Sequence, residues 1–320
     1  MRIIIYGVGA IGGTLAVRLT LAGHEVIGIA RGRQLEAIRA GGLRLNTPSG
    51  QFEAQFPCFA DPTEIDWQPK DVILLTVKTQ DTLDALERLE AAGVEGQAIF
   101  CMQNGFANED FALRRFPHVY GVVVAMPVTF LEPGEVTCFF APKLGVFDIG
   151  RYGAGDEGAG KALAAILEEA GFAAFCHRDV APFKYRKLLL NLANAVDACL
   201  GQQEGRDAFI AAAREEAQAV YRAAGIVPAD MDGRETLATM QAVDGVKSGG
   251  SSSAQSLQRG AGSIETDYLN GEIVLLGRKH GVPTPVNAYF SQEAKRLVRA
   301  GRPSGSLSLD QARRALPHGG

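Results

Sequence analysis

The chain opens Met1-Arg-Ile-Ile-Ile-Tyr-Gly7-Val-Gly9-Ala-Ile-Gly12-Gly13-Thr14-Leu15, and no other stretch restricts its fold as much. Ile3, Ile4, Ile5 and Tyr6 form an apolar run that reads as a buried parallel strand. A G-x-G-x-x-G turn follows, and then a helical pattern through Leu15, Val17, Leu19 and Leu21. Gly7 permits the tight turn, Gly9 lets a pyrophosphate approach the backbone, and Gly12 lets the helix pack on the strand. The free N–H groups and partial positive charge of the helix N-terminus suit phosphate. Strand, glycines and helix occur in the required order, so Gly7, Gly9, Ala10, Ile11 and Gly12 are the expected dinucleotide contacts. The alternative is a glycine-rich turn between two core elements.

Arg2 before an apolar stretch resembles the start of a secretory signal. The glycines at 7, 9, 12 and 13 interrupt the apolar core such a signal needs, and no cleavage site follows. No run approaches the ~18 apolar residues that would cross a bilayer. A cytoplasmic protein is expected, with no membrane partner.

The second strand, Glu25-Val-Ile-Gly-Ile29, should end beside the adenosine ribose, where an NAD-preferring site places Asp or Glu. This chain reads Ala30-Arg31-Gly32-Arg33 instead, and Glu25 lies at the wrong end of the strand. A guanidinium suits a 2′-phosphate because it gives planar, charge-assisted contacts. The expected cofactor is therefore NADP(H), with Arg31 as the main contact and Arg33 a second candidate. Two solvated loop arginines are the bland alternative. NADPH usually serves reductions, so the expected direction is ketone or imine to alcohol or amine.

The net charge of −4 gives no electrostatic case for nucleic acid or an anionic membrane. Cys58, Cys101, Cys138, Cys176 and Cys199 are scattered, without C-x-x-C spacing, and read as small core residues in a reducing compartment. The five histidines form no ligand pair at helical or finger spacing, so no metal is expected.

The fold class expected is α/β: a Rossmann-type doubly wound parallel sheet with a C-terminal all-α helical domain. Residues 1–178 alternate strand and helix, with Val72–Val77 and Ala98–Met102 as further parallel strands and Val119–Val128 as a strand candidate. Leu43–Phe56 reads as a hairpin insert and Glu135–Phe147 as a second hairpin. Residues 179–320 change texture: Pro182–Leu200, Arg206–Ala224, Ala229–Val243, Ile264–His280 and Pro285–Ala300 carry apolar residues at three and four spacings. Gly245–Ser253 reads as a Gly/Ser-rich loop, and the last ~20 residues as a weakly ordered tail. Helical domains of this size often pair, which admits a homodimer.

Hydride transfer to a carbonyl builds negative charge on oxygen, and a donor must meet it. In Tyr185-Arg186-Lys187-Leu-Leu-Leu-Asn191-Leu-Ala-Asn194, Lys187, Asn191 and Asn194 fall within an arc of roughly 60° on a helix turning ~100° per residue. That stripe is either a polar site or an ordinary solvated face. Glu265 opens a predicted helix, where a carboxylate is favoured by the dipole or simply caps. Ser252 and Ser253, in the loop before it, could bind a substrate carboxylate or form turns. Lys78 and Asn104-Gly105 follow the third and fourth sheet strands, where cofactor contacts belong.

Together these positions resemble the ketopantoate reductase (2-dehydropantoate 2-reductase) family over nearly the whole chain. The resemblance rests on the N-terminal G-x-G-A-x-G, Arg31, Val77-Lys78, Asn104-Gly105, Arg186-Lys187-Leu188 with Asn191, and the Ser251-Ser252 pair. It also rests on E-x-D-Y-L-N-G at Glu265–Gly271 and on Gly277-Arg-Lys-His-Gly-Val-Pro-Thr-Pro285. It implies NADPH-dependent reduction of a small 2-keto acid, ketopantoate to pantoate, a step of pantothenate biosynthesis. Lys187 would be the general acid and Glu265 would orient the site. Lys78 and Asn104 would contact cofactor, with Asn104 also near substrate. Asn191 and Ser252 or Ser253 would hold the substrate, and Asn194, on the same helical stripe, is a further substrate candidate from its spacing.

Two departures fall on the substrate side. The family usually has a second asparagine four residues after the first, a position that is Ala195 here, with Asn194 the nearest amide. The Ser-Ser segment normally continues Met-Leu-Gln-Asp, and here Ser253-Ala-Gln-Ser256 stands instead. A different 2-keto acid or an imine is the alternative substrate, and a non-catalytic NADP(H)-sensing protein the alternative of another class. Histidine-based and Tyr-x-x-x-Lys mechanisms fit poorly: His177 lies at the expected domain junction, and Tyr185 is two residues before Lys187.

Overall fold

The computed structural model describes residues 1–153, 155–230, 233–246, 251–258 and 262–316. The chain divides into two compact units: residues 1–103, 107–181 and 231–248 form one, and residues 104–106, 182–230 and 249–320 the other.

The first unit contains β1 (Ile3–Tyr6), α1 (Ala10–Leu21), β2 (Val26–Ile29), α2 (Gly32–Gly41), β3 (Leu43–Thr47), β4 (Gly50–Ala54) and β5 (Cys58–Phe59). It continues through β6 (Val72–Leu75), α3 (Thr82–Ala91), β7 (Ala98–Cys101), α4 (Ala107–Leu113), β8 (Val119–Ala125) and β9 (Val128–Thr129). β10 (Glu135–Cys138), β11 (Phe140–Pro142), β12 (Val146–Arg151), α5 (Gly158–Glu169), β13 (Ala173–His177) and β14 (Ala238–Met240) complete it. The main sheet runs β13-β12-β8-β7-β6-β1-β2-β5, and every neighbouring pair is parallel except β8 with β12. All four residues of β1, of β2 and of β6 are buried, as a sheet covered on both faces requires. Strand order reverses at β1, which places a ligand crevice at the carboxyl ends of β1 and β6.

The expected hairpin insert forms as β3–β4, with Leu43 opposite Ala54. The second expected hairpin does not. β10 instead pairs parallel with β3 and antiparallel with β9 in a four-stranded sheet, while β12 joins the main sheet. The strand expected over Val119–Val128 likewise divides between the two sheets as β8 and β9.

The described residues of the Ala229–Val243 segment do not form the expected helix. Gly233 takes φ +71°, a short 3₁₀ turn covers Arg234–Thr236, and β14 pairs antiparallel with β11. Arg234 bonds the Asp148 carboxylate and lies 4.8 Å above the Phe175 ring, so tertiary anchors override the helical spacing.

The second unit is helical, as expected: α6 (Ala181–Asn191, its first residue in the other unit), α7 (Ala193–Leu200), α8 (Arg206–Ala224), α9 (Ser252–Gln258), α10 (Asn270–His280), α11 (Pro285–Arg299) and α12 (Leu309–Ala315). The single segment expected over Pro182–Leu200 breaks at Leu192, whose carbonyl accepts a hydrogen bond from the buried Asn270 side chain (3.1 Å). Asn270 also donates to Asn287 Oδ1 at 3.0 Å, and Asn287 donates to Ala213 O at 2.9 Å and Glu216 Oε2 at 2.8 Å. Glu216 accepts in turn from the backbone of Val286 (2.7 Å) and Asn287 (3.0 Å), satisfying free N–H groups at the start of α11. The segment expected as one helix over Ile264–His280 is a 3₁₀ turn at Glu265–Tyr268 followed by α10. Of the expected Gly/Ser-rich loop, residues 247–250 lie outside the described residues, and Ser252 already begins α9.

The expected weak tail is corrected as well. Ser308 and Gln311 form a capping box on α12, and Leu307, Ala312 and Leu316 are buried in the helical core. Gly305 N donates to Ala198 O at 3.0 Å and holds the segment against α7. Residues 317–320 lie outside the described residues. Ser308→Ala should destabilise this unit by about 1 kcal/mol, read as a lower denaturant midpoint for its unfolding.

Candidate active site

The glycine turn is shaped by what surrounds it. Gly7 has φ +107°, and a Cβ there would lie 2.8 Å from Val77 N. A Cβ on Gly12 would lie 2.3 Å from Gly7 O and 2.9 Å from the Ile5 side chain, so α1 meets β1 with no room for a methyl. Gly13 does the same on the other side, where a Cβ would sit 3.0 Å from Leu43 and Val136 of the small sheet. Thr76 Oγ1 donates to Tyr6 O (3.0 Å) and Gly7 O (2.8 Å), and Gln34 Nε2 donates to Val8 O (2.9 Å). The turn is thus held from both flanks.

Gly9 is the exception. It is the N-cap of α1, no side chain caps the helix, and a Cβ there would meet nothing within 4 Å. The N–H groups of Ala10, Ile11 and Gly12 have no intrahelical acceptor at this end. An open backbone face, unspent donors and the positive end of a buried helix fit a pyrophosphate.

Lys78 and Asp81 lie on the loop after β6, and a buried polar network fixes that loop. Gln103 Nε2 donates to Val77 O and to Thr82 Oγ1, each at 2.8 Å. Thr82 Oγ1 donates to Asn108 Oδ1 at 2.8 Å, and Asn108 Nδ2 to Thr79 Oγ1 at 3.2 Å. Gln103 Oε1 is buried without a hydrogen-bond partner, an acceptor left for a ligand at the carboxyl end of β7. Lys78 is half-buried at the N-cap of the 3₁₀ turn Thr79–Asp81. Arg31 is exposed at the N-cap of α2, and its Nη2 lies 3.3 Å from Asp81 Oδ1. Asp81 carries no motif in the sequence beyond being a carboxylate three residues after Lys78. Arg33 is exposed.

In the helical unit, Asn104, expected beside the cofactor, belongs with α6. Asn191 is buried and its Nδ2 donates to Asn104 Oδ1 at 3.1 Å. Gly105, at φ +82°, leaves no space for a Cβ, which would lie 2.6 Å from Tyr268 O. Phe106 stacks on Tyr185 with ring centroids 4.1 Å apart, and the buried Lys184 places Nζ 5.7 Å from the Phe106 ring. The spacing of Phe106 and Lys184 carries no motif, so nothing local marks them in the sequence.

Lys187 is half-buried on α6, and burial pushes its ammonium below the ordinary lysine value. Glu265 is buried at the first position of the 3₁₀ turn rather than of an α-helix. Ser252 and Ser253 are in α9 and not in a loop, and both hydroxyl oxygens are buried without a hydrogen-bond partner. Two orphaned hydroxyls are costly unless a ligand satisfies them. Asn194 is half-buried on α7, while Ala195 is fully buried in the apolar core.

The cysteines lie in or against the two cores. Cys58, Cys101, Cys138 and Cys199 are buried, and burial pushes the Cys58 and Cys138 thiols up to about 11. Among the described residues, no helix is long and apolar enough to cross a membrane.

The contrasting space around Gly9 and Gly12 separates binding from folding. Gly9→Ala should keep the thermal midpoint close to that of the parent while losing dinucleotide affinity. Gly12→Ala should lower the midpoint itself. Calorimetric melts and cofactor titration of the two variants check this.

The comparisons agree with this architecture. Residues 3–152 match the family described as "Ketopantoate reductase PanE/ApbA", and residues 180–298 match "Ketopantoate reductase PanE/ApbA C terminal". The 2-dehydropantoate 2-reductase of Aquifex aeolicus is 28% identical over 312 residues, covering 92% of this chain and 96% of that one. The crystal structure of a PanE/ApbA family ketopantoate reductase from Ralstonia eutropha JMP134 is 31% identical, with a TM-score of 0.78, covering 94% of this chain and 99% of that one. The ternary structure of a D-mandelate dehydrogenase with NADH and anilino(oxo)acetate is 25% identical, with a TM-score of 0.79 and the same coverage. With a doubly wound nucleotide-binding sheet, a helical second unit and matches over most of its length, the chain belongs to the ketopantoate reductase family of NAD(P)-dependent oxidoreductases.

Proposed function

We propose that the protein reduces a small 2-keto acid, 2-dehydropantoate in the first place, using NADPH and a proton from Lys187. The observation that carries this reading is a lysine held in α6 with its ammonium made more acidic by burial, one turn before an asparagine anchored to Asn104. NADPH, when bound, supplies the hydride. Residues 1–178 supply most of the NADP-binding domain and residues 179–320 most of the substrate and catalytic domain, with 104–106 and 231–248 exchanged between the two units. The reading places the enzyme in the cytoplasm and admits pairing of two copies.

Each residue has a role within it. Gly7, Gly9, Ala10, Ile11 and Gly12 cradle the pyrophosphate, and Arg31 meets the 2′-phosphate. Lys78 and Asn104 contact cofactor, and Asn104 also faces substrate. Lys187 donates its proton to the carbonyl oxygen as negative charge develops there, and its positive charge stabilises that oxygen beforehand. Glu265 orients the lysine and substrate. Asn191 and Asn194 supply amide contacts, and the orphaned hydroxyls of Ser252 and Ser253 donate to the substrate carboxylate.

A second reading keeps the reaction and changes the acid. It is favoured by Ala195, which turns into the apolar core at the position where the family carries asparagine, and by the structural similarity to a D-mandelate dehydrogenase. Steady-state rates over a panel of 2-keto acids, branched and aromatic, separate the two. Tight NADPH binding with no turnover on any of them would instead favour a nucleotide sensor.

Lys187→Ala should lower kcat by ~10² or more and leave NADPH affinity nearly unchanged, measured by turnover and by cofactor titration. The general acid must be protonated, so keto-acid reduction should fall as pH rises through the lowered Lys187 value. Oxidation of the hydroxy acid, which needs the neutral amine, should rise through the same pH. An alkaline limb at the ordinary lysine value would contradict the assignment. Arg31→Ala should weaken NADPH far more than NADH, by about 1.5–3 kcal/mol for one charged contact. Equal losses would refute the 2′-phosphate assignment.

A further inference from the structure

The end of β2 has no carboxylate of its own, and the fold supplies one from elsewhere. Asp81 closes the 3₁₀ turn after β6, fifty residues beyond Arg31, and its Oδ1 lies 3.3 Å from Arg31 Nη2. The contact is a single long hydrogen bond between a side chain that is 83% exposed and one that is 37% exposed. Such a pair is easily opened, and four of the five guanidinium donors remain for another acceptor. The position of Asp81 is nevertheless fixed. Its backbone N–H donates to Lys78 O at 2.8 Å, and the neighbouring Thr79 and Thr82 belong to the buried network with Asn108 and Gln103. The nearby carboxylates of Asp61 and Asp84 are engaged with Arg88, at 3.0 and 2.9 Å. Among the described residues, Asp81 is the carboxylate paired with Arg31.

We propose that Asp81 is a specificity-determining residue for the cofactor: it competes with the 2′-phosphate of NADPH for Arg31 and offers an acceptor to the ribose hydroxyls of NADH. This rests on the reading of Arg31 as the 2′-phosphate contact. A dianionic phosphate arriving at the guanidinium displaces the weak pair and then faces an uncompensated carboxylate. A ribose 2′-hydroxyl brings no charge and can donate to that carboxylate, which is the service an Asp or Glu at the end of β2 performs in NAD sites. The protein therefore uses both cofactors, with a preference for NADPH narrower than Arg31 alone would set.

The test is cofactor binding, measured by titration with NADPH and with NADH and without any keto acid, so that it does not depend on the substrate. Asp81→Asn, with Asp81→Ser as a second variant and a thermal melt for each, should tighten NADPH by about three- to tenfold and leave NADH unchanged or weaker. The effect on NADPH should shrink at high salt. The same dissociation constants as the parent for both cofactors, or an equal shift in both, would overturn the proposal. Arg31→Ala in the same assay keeps the two levels apart. If it weakens NADPH selectively while Asp81→Asn changes nothing, only the role of Asp81 fails. If it weakens both cofactors equally, the 2′-phosphate reading falls and the Asp81 proposal with it.

Discussion

The contact between Gly12 and the carbonyl of Gly7 is the constraint on which the nucleotide unit depends. A methyl at Gly12 would stand 2.3 Å from that oxygen, so α1 lies against β1 at a separation only glycine allows. Gly13 packs closely against the side chains of Leu43 and Val136, where a Cβ would sit 3.0 Å from each, so one helix lies between two sheets. Because α1 is gripped on both sides, its N-terminus points into a fixed place. The open backbone at Gly9 is useful only because its neighbours cannot move. Tight packing and the open backbone face are one arrangement, reached with nearby glycines in opposite surroundings.

Polar groups do for the loops what glycine does for the turn. Gln103, Thr82, Asn108 and Thr79 form a buried chain of hydrogen bonds that holds the segment carrying Lys78 and Asp81. In the helical unit, Asn270, Asn287 and Glu216 serve in the same way, bonding the Leu192 carbonyl between α6 and α7 and closing the start of α11. Networks of this kind are costly when half satisfied, so they specify a single conformation. The Gly277–Pro285 segment belongs with these structural devices rather than with the chemistry. Gly277 lies where a Cβ would meet Val282 O at 2.6 Å, Gly281 takes φ +70°, and Pro285 starts α11.

Lys187, the proposed general acid, illustrates a balance of effects. An ammonium loses hydration on burial, which makes it a better acid, while an alkoxide forming nearby would draw its proton more strongly still. Exposed pairs such as Arg31–Asp81 sit at the opposite limit, where solvent screening leaves little net energy and a ligand can rearrange them.

Local chemistry in the sequence determined a large share of this protein: the strand–glycine–helix opening, the parallel core strands, the β3–β4 hairpin, the helical second half and the family. Each of these is set by neighbours a few residues apart, through apolar periodicity or by glycine sterics. Several features were decided only by the tertiary structure. Residues 238–240 became a strand because β11 offered an unpaired edge and Asp148 an anchor for Arg234. The helix expected over 182–200 divides at Leu192, whose carbonyl also accepts from Asn270, far along the chain. α12 formed because Leu307, Ala312 and Leu316 found an apolar surface to cover. Asn104 met Asn191 and Asp81 met Arg31 across 87 and 50 residues. Separations of that length leave no periodic trace in a sequence, because the partner's position is fixed by packing and not by the local backbone.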